Sequence, residues 1–339
     1  MSEFRKDPIV GRWVVIAPER ALRPIDVPDQ PTRVEMAFDP FAAGNESSTT
    51  AEVLAFRDAG AVPDSPGWRV RVIPNKYPAV QFAASMQTHR DGIYESVSGM
   101  GTHEVIIECP HTEPNLSRLS VANITEVLAA YRDRMIELKK DPRLAHAVIF
   151  KNQGPLAGAS VHHSHSQLMA TPFVPTVILE ELEGALAYYQ TSGRNIFEAM
   201  IEQELATGSR IVVETPKFLA FCPYASRFAY ETWILPRQSG SHYEQIDQAA
   251  LTELGSMLKV VLCKLELGVN DPDFNYVVYS APFREPDLPH YLWHIRIFPR
   301  MSGVAGFEWG SGCHINQVPP ELAAERLRNA LPHHLSQLV

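Results

Sequence analysis

The sequence has few cysteines, and it places none of them in pairs. Its four cysteines stand singly along 339 residues, without a C-x-x-C spacing, at Cys109, Cys222, Cys263 and Cys313. This scatter argues against a disulfide framework and against a zinc site built from thiolates. Such cysteine usage is typical of a reducing compartment, and we expect a cytoplasmic protein.

Long apolar runs and an excess of positive charge are absent as well. No stretch reaches the roughly 20 apolar residues of a membrane-spanning helix, and the first residues, MSEFRKDP, lack the apolar region of a secretory signal. The net charge of −9 does not provide the basic surface that nucleic acid binding needs. With 45% apolar residues, the chain is expected to be a soluble enzyme with neither a membrane nor a nucleic acid as its partner.

Strand-like and helix-like patterns follow one another in two similar series. Each series runs strands, helix, strand, turn, strand, and its last strand carries a histidine and ends near a proline. The repeat indicates an internal duplication of an α+β unit. Helices are predicted over 121–140, with Ser120 as N-cap, over 177–206, over 246–268 and from Pro319. Strands are predicted at 12–18, 68–75, 103–109, 145–150, 166–171, 210–215, 218–224, 231–236, 275–282 and 291–299.

Two segments lack a clear period. The stretch from Pro24 to Gly67 is polar and rich in proline, which predicts a long loop with little regular structure. The run GFEWGSGCHIN, over 306–316, is interpreted as strand-like.

The segment FKNQGPLAGASVHHSHSQLMATP, over 150–172, carries the chemistry. Gly154, Gly158 and Ala159 form a small-residue turn between two predicted strands, and backbone N–H groups in such turns bind anionic oxygen. Asn152 and Ser160 add side-chain donors. The composition therefore favours a phosphate site.

The run that follows this turn has the pattern H-x-H-x-Q. If it is a strand, His163, His165 and Gln167 line one face, while Ser164 and Ser166 line the other. A neutral imidazole is a competent nucleophile, and a backbone carbonyl that accepts from its other nitrogen would fix the tautomer. Since H-x-H on a strand is also a common spacing for metal ligands, the spacing alone leaves nucleophile and metal ligand equally open.

At these residues the sequence resembles the galactose-1-phosphate uridylyltransferase family, within the histidine-triad superfamily. The family pattern N-x-G-x-x-x-G-x-S-x-x-H-x-H-x-Q is present over 152–167 with every spacing kept. The segments DPIVGRWVVIAPERALRP (7–24), VIPNKYPA (72–79) and FAYETWILP (228–236) resemble further family segments. The resemblance implies an α+β, histidine-triad-like fold with two tandem halves, 1–175 and 176–339, each with an antiparallel sheet and helices, and normally a homodimer.

The resemblance also implies a ping-pong nucleotidylyltransferase that carries a nucleoside monophosphate on His165. Gln167 would hold the phosphate oxygens where histidine-triad hydrolases have a third histidine, and an amide cannot shuttle a proton. The implied catalytic residues are His165, Gln167 and Ser160, and the implied substrate-binding residues are Arg20, Arg23, Asn75, Asn152, Gly154, Gly158 and His163. The implied substrates are a nucleotide sugar and a sugar phosphate or phosphate.

The sequence departs from the family at both of its metal sites. Family members bind zinc through C-x-x-C and two histidines; here Asp39 and Ala42 stand at the cysteine positions, with His111 and His163 as the implied partners. Two histidines and one carboxylate are a weak zinc site, so we expect it to be empty or weakly occupied. The second-half H-x-H has become H-I-R over 294–296, so that site is expected to be lost, with the arginine as a candidate for a fixed charge in its place.

The acceptor and the base are the least specified features. The run over 306–316 lacks the usual lysine and tyrosine for galactose 1-phosphate and resembles plant uridylyltransferase-like enzymes that act as ADP-glucose phosphorylases. Lys76 stands beside Asn75, where uridylyltransferases commonly carry an aspartate for the ribose. The leading hypothesis is ADP-glucose phosphorylase-like transfer, and the alternatives are uridylyl transfer to a hexose 1-phosphate and a non-catalytic nucleotide-binding protein. Gln167 disfavours a dinucleotide hydrolase.

Overall fold

The computed structural model describes residues 2–22, 38–82 and 87–330. Its strands are β1 (Glu3–Lys6), β2 (Trp13–Ile16), β3 (Leu54–Arg57), β4 (Trp68–Pro74), β5 (Thr88–Asp91), β6 (Tyr94–Val97), β7 (Thr102–Ile107), β8 (His146–Gln153), β9 (His165–Thr171), β10 (Ile211–Glu214), β11 (Phe218–Phe221), β12 (Thr232–Pro236), β13 (Phe274–Tyr279), β14 (His294–Pro299) and β15 (His314–Asn316). Its α-helices are α1 (Val121–Leu138), α2 (Thr176–Ser192), α3 (Ile196–Thr207), α4 (Gln248–Gly268), α5 (Gly306–Ser311) and α6 (Pro320–Asn329).

The long helices begin and end where their sequences provide caps. The side chain of Ser120 accepts from the backbone N–H of Asn123 at the start of α1, as predicted. At the start of α4, Asp247 accepts from Ala250 in the same way. The region predicted as one helix over 177–206 is divided into α2 and α3, because Gly193 ends α2 in the left-handed conformation.

Ten strands form one antiparallel sheet that repeats its own order. The order is β10-β11-β12-β14-β13-β8-β9-β7-β4-β3. If the strands of this sheet are numbered one to five along each half of the chain, both halves show the order 1-2-3-5-4 from the edge to the centre. In the first half these strands are β3, β4, β7, β9 and β8, and in the second they are β10, β11, β12, β14 and β13. The two fourth strands, β13 and β8, pair at the centre. The predicted duplication of an α+β unit is thus confirmed, while the boundary at residue 175, between β9 and α2, stays a prediction.

Helices cover the two faces of this sheet unequally. The helices α1 and α4 pack together on one face and form the main apolar core with residues such as Leu128, Leu258 and Ile149. On β11, Leu219 and Phe221 point to the opposite face, where they pack against α2 and α3. In the first half, side chains on this opposite face, such as Val105 and Ile107, pack against Phe41 and not against α1.

The N-terminal segment is attached to the second half of the chain. The strands β1, β2 and β15 form a separate sheet in which β15 runs parallel to β2. Ile9 packs into the apolar cluster beneath α2. At Gly184, on α2, a Cβ would lie 2.0 Å from the carbonyl oxygen of Ile9, so glycine permits this close approach.

One prediction of local structure is incomplete and another is wrong for most of its length. The region from Pro24 to Gly67 contains the strand β3, which pairs along the edge strand β4; residues 24–37 of it lie outside the described ranges. The run over 306–316 was predicted as strand-like, but its first six residues form α5, which Gly312 ends with a φ of 67°. Only His314–Asn316 is a strand. In the described ranges, no helix combines the length and apolar character that crossing a membrane requires.

The crossing of α1 and α4 gives a test of the fold. A Cβ at Gly255 would lie 2.6 Å from Oγ1 of Thr125 and 3.3 Å from its backbone nitrogen. We expect Gly255→Val to force the helices apart and to lower the free energy of unfolding by about 1–3 kcal/mol, measured as the midpoint of urea unfolding. Gly310→Val, on α5, is the matched control, because a Cβ there would meet no described atom within 4 Å. Equal midpoints for both variants would contradict the role of this crossing.

Candidate active site

The strand β9 begins at His165, and the backbone just before it fixes this ring. The Nδ1–H of His165 donates to the carbonyl oxygen of His163 at 2.8 Å. This tautomer keeps the lone pair on Nε2, so Nε2 is the nucleophilic atom. The side chain is 7% exposed, and burial lowers the pKa of the imidazole to about 4. At neutral pH the ring is therefore uncharged and able to attack phosphorus.

A buried ion pair lies behind this strand. Lys151, on β8, donates from Nζ to the carboxylate of Glu108 at 2.6 Å and to the carbonyl oxygen of His165 at 3.0 Å. It also donates to the hydroxyl of Ser164 at 3.0 Å, and that hydroxyl donates to Glu108 at 2.5 Å. Lys151 and Glu108 are almost fully buried, so each charge depends on the other. The ion pair thereby fixes the backbone at His165, the candidate nucleophile.

Two buried tyrosines attach the same strand to both halves of the chain. The hydroxyl of Tyr131, on α1, donates to Ser166 at 2.6 Å and meets the hydroxyl of Tyr276, on β13, at 2.5 Å. Burial raises the pKa of both phenols well above its usual value, so both stay neutral. The sequence patterns did not predict this support or the ion pair. The available signal was a lysine inside an apolar strand, at Lys151.

The amide of Gln167 lies on the same face of β9 as His165, two residues further along. Its Oε1 lies 2.8 Å from Nε2 of His103, on β7. Nδ1 of His103 accepts from the backbone N–H of Ala79 at 3.2 Å, and the backbone N–H of Asn75 donates to the carbonyl oxygen of His103 at 2.8 Å. The segment that was predicted to face the nucleoside is thus joined to Gln167 through His103, a residue that the sequence analysis did not single out.

The turn between β8 and β9 needs glycine at two positions. Gly154 and Gly158 have φ values of 82° and 85°, a conformation that other residues rarely adopt. A Cβ at Gly154 would lie 1.9 Å from the carboxylate of Asp273, which accepts from the backbone N–H of Leu156 at 2.6 Å. Ser160 follows this turn with an exposed side chain. The turn is therefore held against the second half while its small residues remain open to a ligand.

Asn152 precedes the turn and lies beside its counterpart from the second half. The sheet register pairs Asn152 with Asn275, on β13. Nδ2 of Asn275 donates to Oδ1 of Asn152 at 2.8 Å, and Nε of Arg300 donates to Oδ1 of Asn275 at 2.5 Å. Because its oxygen is engaged in this way, Asn152 keeps its N–H donors for a ligand.

His163 lies outside the strand that carries His165 and Gln167. Since β9 begins only at His165, the prediction of one strand with three polar groups on one face is wrong for His163. Its ring is almost fully buried. Nδ1 lies 2.7 Å from the carboxylate of Asp39, and Nε2 lies 2.7 Å from the carbonyl oxygen of Cys109. Both nitrogens face acceptors, so this geometry supports an orienting role, and substrate contact by His163 stays a prediction.

The implied zinc position contains a hydrogen-bonded pair and not a set of four ligands. The hydroxyl of Thr112 donates to Asp39 at 2.5 Å, whereas His111, the partner implied by the resemblance, has an exposed side chain. Burial raises the pKa of Asp39, but hydrogen bonds from Thr112 and His163 outweigh it, and the pKa is lowered. In the described residues, which include Ala42, no group of three or more His, Cys, Asp or Glu side chains is arranged to hold a metal ion. The donor set therefore does not fit zinc.

In the second half, His294 has the same hydrogen-bond geometry as His165 but is fully buried. The Nδ1–H of His294, the first residue of β14, donates to the carbonyl oxygen of Leu292 at 2.9 Å. Arg296 forms an ion pair with Glu181 and lies over the ring of Trp233, 3.8 Å from its centroid. His294 is fully buried, and this burial lowers its pKa well below the usual value. Arg296 is thus held by Glu181, its role in place of a metal stays a hypothesis, and His294 has no exposed surface for a substrate.

The structure describes one of the two predicted phosphate-binding arginines, Arg20, and its contact with phosphate stays a prediction. Arg20 is exposed on a 3₁₀ turn, Pro18–Leu22, next to Ala17, whose backbone N–H donates to the carbonyl oxygen of Asn316 in β15. The turn is therefore anchored to the second half. Arg23 lies outside the described residues.

Comparison with known proteins places this site in a family context. A sequence model described as galactose-1-phosphate uridyl transferase, N-terminal domain, matches residues 1–175. The chain is 36% identical over 335 residues to ADP-glucose phosphorylase of Arabidopsis thaliana, covering 96% of this chain and 92% of the relative. It is 26% identical over 338 residues to galactose-1-phosphate uridylyltransferase of Thermotoga maritima, covering 97% and 98%.

Solved structures agree with this assignment. The crystal structure of an ADP-glucose phosphorylase from Arabidopsis thaliana with bound ADP-glucose superimposes with a TM-score of 0.83 at 33% identity, covering 98% of this chain and all of that one. A uridylyltransferase structure superimposes with a TM-score of 0.76 at 24% identity, covering 99% of each chain, which supports the fold alone. The predicted α+β fold is thereby confirmed.

The Asp39–His163 pair gives a test of metal content. We expect the purified chain to hold well under one zinc per chain by elemental analysis, and a chelator to leave its melting temperature unchanged, because no closed set of four ligands is present. The triple substitution Asp39→Cys, Ala42→Cys and Thr112→His, which supplies four ligands together with His163, is the positive control and should gain zinc. One tightly held zinc per unmodified chain would contradict this expectation.

Proposed function

Because the chain belongs to the galactose-1-phosphate uridyl transferase family of nucleotidyltransferases, we propose that it acts as an ADP-glucose phosphorylase. In this proposal it carries AMP on His165 between ADP-glucose and inorganic phosphate. The observation that supports the proposal most is the likeness, over almost the whole chain, to ADP-glucose phosphorylase of Arabidopsis thaliana. The site geometry agrees with it, since His165 presents a neutral, oriented Nε2.

In the first step Nε2 of His165 attacks the α-phosphorus of ADP-glucose. A phosphorus–nitrogen bond forms, and the bond from the α-phosphorus to the bridging oxygen breaks, so glucose 1-phosphate leaves with the electron pair. As the imidazole becomes positively charged, the carbonyl oxygen of His163 stabilises the Nδ1–H. The amides of Gln167 and Asn152 donate to the phosphate oxygens, where charge develops.

In the second step an oxygen of inorganic phosphate attacks the same phosphorus. The phosphorus–nitrogen bond breaks, its electron pair returns to Nε2 of His165, and ADP leaves. Neither step requires a proton transfer to the leaving group, so an amide at Gln167 is sufficient where a hydrolase uses an acid. This favours transfer to an anionic acceptor over attack by water, which would need a base.

The remaining predicted residues are assigned to substrate contacts in these two steps. We assign contacts with the phosphates to Ser160, Gly154, Gly158, Arg20 and Arg23, and a contact near the nucleoside to Asn75. We also propose a homodimer in the cytoplasm. Trp309 is 79% exposed and Phe307 is 53% exposed on α5, and such apolar surface is typical of an interface.

Uridylyl transfer from UDP-glucose to a hexose 1-phosphate is the second candidate. The relatives named galactose-1-phosphate uridylyltransferase, such as that of Thermotoga maritima, favour it. The run over 306–316 argues against it, because this run provides neither the lysine nor the tyrosine expected to hold the hexose phosphate. A non-catalytic nucleotide-binding protein is disfavoured by the orientation of His165, which simple binding does not need.

The nucleophile gives the first functional test. We expect the wild-type chain mixed with ADP-glucose to gain the mass of AMP, and His165→Asn to gain none and to lose turnover by roughly a thousandfold or more, as removal of a nucleophile does. Intact-mass spectrometry and a glucose 1-phosphate release assay measure both. His163→Asn should be milder, because that ring orients and does not attack.

His89→Asn is the matched control, since it makes the same change on the exposed strand β5 and should leave labelling intact. Circular dichroism of each variant verifies folding. Labelling of His165→Asn, or turnover near that of the wild type, would show that another residue is the nucleophile.

The donor and acceptor give the second functional test. We expect kcat/KM for ADP-glucose with phosphate to exceed that for UDP-glucose with galactose 1-phosphate by about tenfold or more, because each missing charge-assisted contact to the hexose phosphate is worth about 1.5–3 kcal/mol. Each donor is measured with each acceptor, which separates base preference from acceptor preference. A higher value for the UDP-glucose and galactose 1-phosphate pair would favour the second candidate.

A further inference from the structure

We propose that His103 is a positioning residue that fixes the amide of Gln167 with its nitrogen toward the phosphate. This inference rests on the proposed function. His103 lies on β7, half-buried, beside the strand that carries Gln167 and His165. Its two ring nitrogens contact different parts of the site, Ala79 through Nδ1 and Gln167 through Nε2.

The backbone determines which nitrogen of His103 carries the proton. The N–H of Ala79 points at Nδ1 over 3.2 Å, and a backbone N–H can only donate. Nδ1 therefore accepts, and the proton of the neutral ring lies on Nε2. Nε2–H then donates to Oε1 of Gln167, 2.8 Å away. The tautomer follows from a main-chain group, so it does not depend on the choice of an amide orientation.

A second amide near His103 does not compete for this proton. Nδ2 of Asn75 lies 3.3 Å from the same ring nitrogen, but Oδ1 of Asn75 already accepts from the backbone N–H of Tyr77 at 2.8 Å. The group that Asn75 presents to His103 is therefore an NH₂, which is a donor only. Gln167 is left as the acceptor for Nε2–H.

The orientation of the terminal amide decides whether Gln167 turns its NH₂ donors or its acceptor oxygen toward a phosphate. An unrestrained glutamine can rotate its terminal amide by half a turn, since that torsion is broad and two-fold. In the reversed state its oxygen would face the anionic phosphate, and its NH₂ would face the N–H of His103. The hydrogen bond from His103 removes this reversed state, so the two N–H donors of Gln167 face the phosphate on the side of His165.

The contacts of His103 also connect the predicted nucleoside segment, residues 75–79, to the amide of Gln167. Asn75 and Ala79 both bond to His103, one to its backbone and one to its ring. A displacement of the segment 75–79 would therefore release the ring and, with it, the amide of Gln167. The link makes the orientation of Gln167 depend on the order of the predicted nucleoside segment.

Four variants test this role: His103→Met, His103→Gln, Gln167→Ala and the double variant His103→Met with Gln167→Ala. Methionine keeps the length of the side chain without a donor, whereas the terminal NH₂ of glutamine reaches the place of Nε2–H. We expect His103→Met to lower kcat and the single-turnover rate of AMP transfer about tenfold, the effect of one lost hydrogen bond, with KM for ADP-glucose changed less than kcat. His103→Gln should restore most of the rate.

The double variant separates positioning from packing. If His103 acts through Gln167, His103→Met has no further effect on kcat in the Gln167→Ala background. An equal loss in both backgrounds, a wild-type rate for His103→Met, or no restoration by His103→Gln would overturn the role of His103. A wild-type chain that gains no AMP from ADP-glucose would instead contradict the proposed function, so the two failures are distinguishable.

Discussion

The buried ion pair between Lys151 and Glu108 is the interaction on which the rest of the site depends. It lies behind β9, and its ammonium binds the carbonyl oxygen of His165 itself. A lysine that lost its carboxylate here would be an uncompensated buried charge, which costs about 3–5 kcal/mol. The pair thus couples the stability of the sheet to the position of His165. Because the ammonium contacts the backbone of His165, the ring can form a separate hydrogen bond. Its Nδ1–H donates to the carbonyl oxygen of His163, which leaves the lone pair on Nε2.

The duplicated sheet holds two histidines of the same hydrogen-bond geometry in different environments, His165 with 7% exposure and His294 with none. His165 and His294 both begin the fifth strand of their half, and both donate from Nδ1 to the carbonyl two residues earlier. In the second half, α2 and α3 cover the ring and Glu181 pairs with Arg296. In the first half, buried residues on the corresponding face, among them Val105 and Ile107, pack against Phe41, and His165 keeps an exposed fraction of 7%. The second half nevertheless reaches the site, because Asn275 binds the amide of Asn152.

Local patterns predicted what local sequence determines. The cap at Ser120 and most strands of both series follow from short spacings, so the sequence predicted them, while the reactivity of His165 stays a prediction. The strand β3 was missed because its pairing with β4 gives it order that its own composition does not. The run over 306–316 was wrong because a six-residue helix has too few turns to show a period. Lys151 and Glu108, 43 residues apart, become partners only when β8 joins the sheet, so no sequence window contains both.

The family resemblance implies a metal site in each half of the chain. In this structure, side chains at both positions contact each other through ion pairs or charge-assisted hydrogen bonds. At the first, Asp39 contacts His163 and Thr112; at the second, Glu181 contacts Arg296. Such a pair can connect two segments of the chain as a metal ion does. Asp39 connects its loop to His163, and Glu181 connects α2 to Arg296 on β14. A metal ion and such a pair differ in cost, because a metal must be acquired whereas the pair is supplied by the chain. The Asp39 contact holds His163, whose carbonyl oxygen accepts from Nδ1–H of His165, so this pair of side chains contributes to the orientation of the His165 ring.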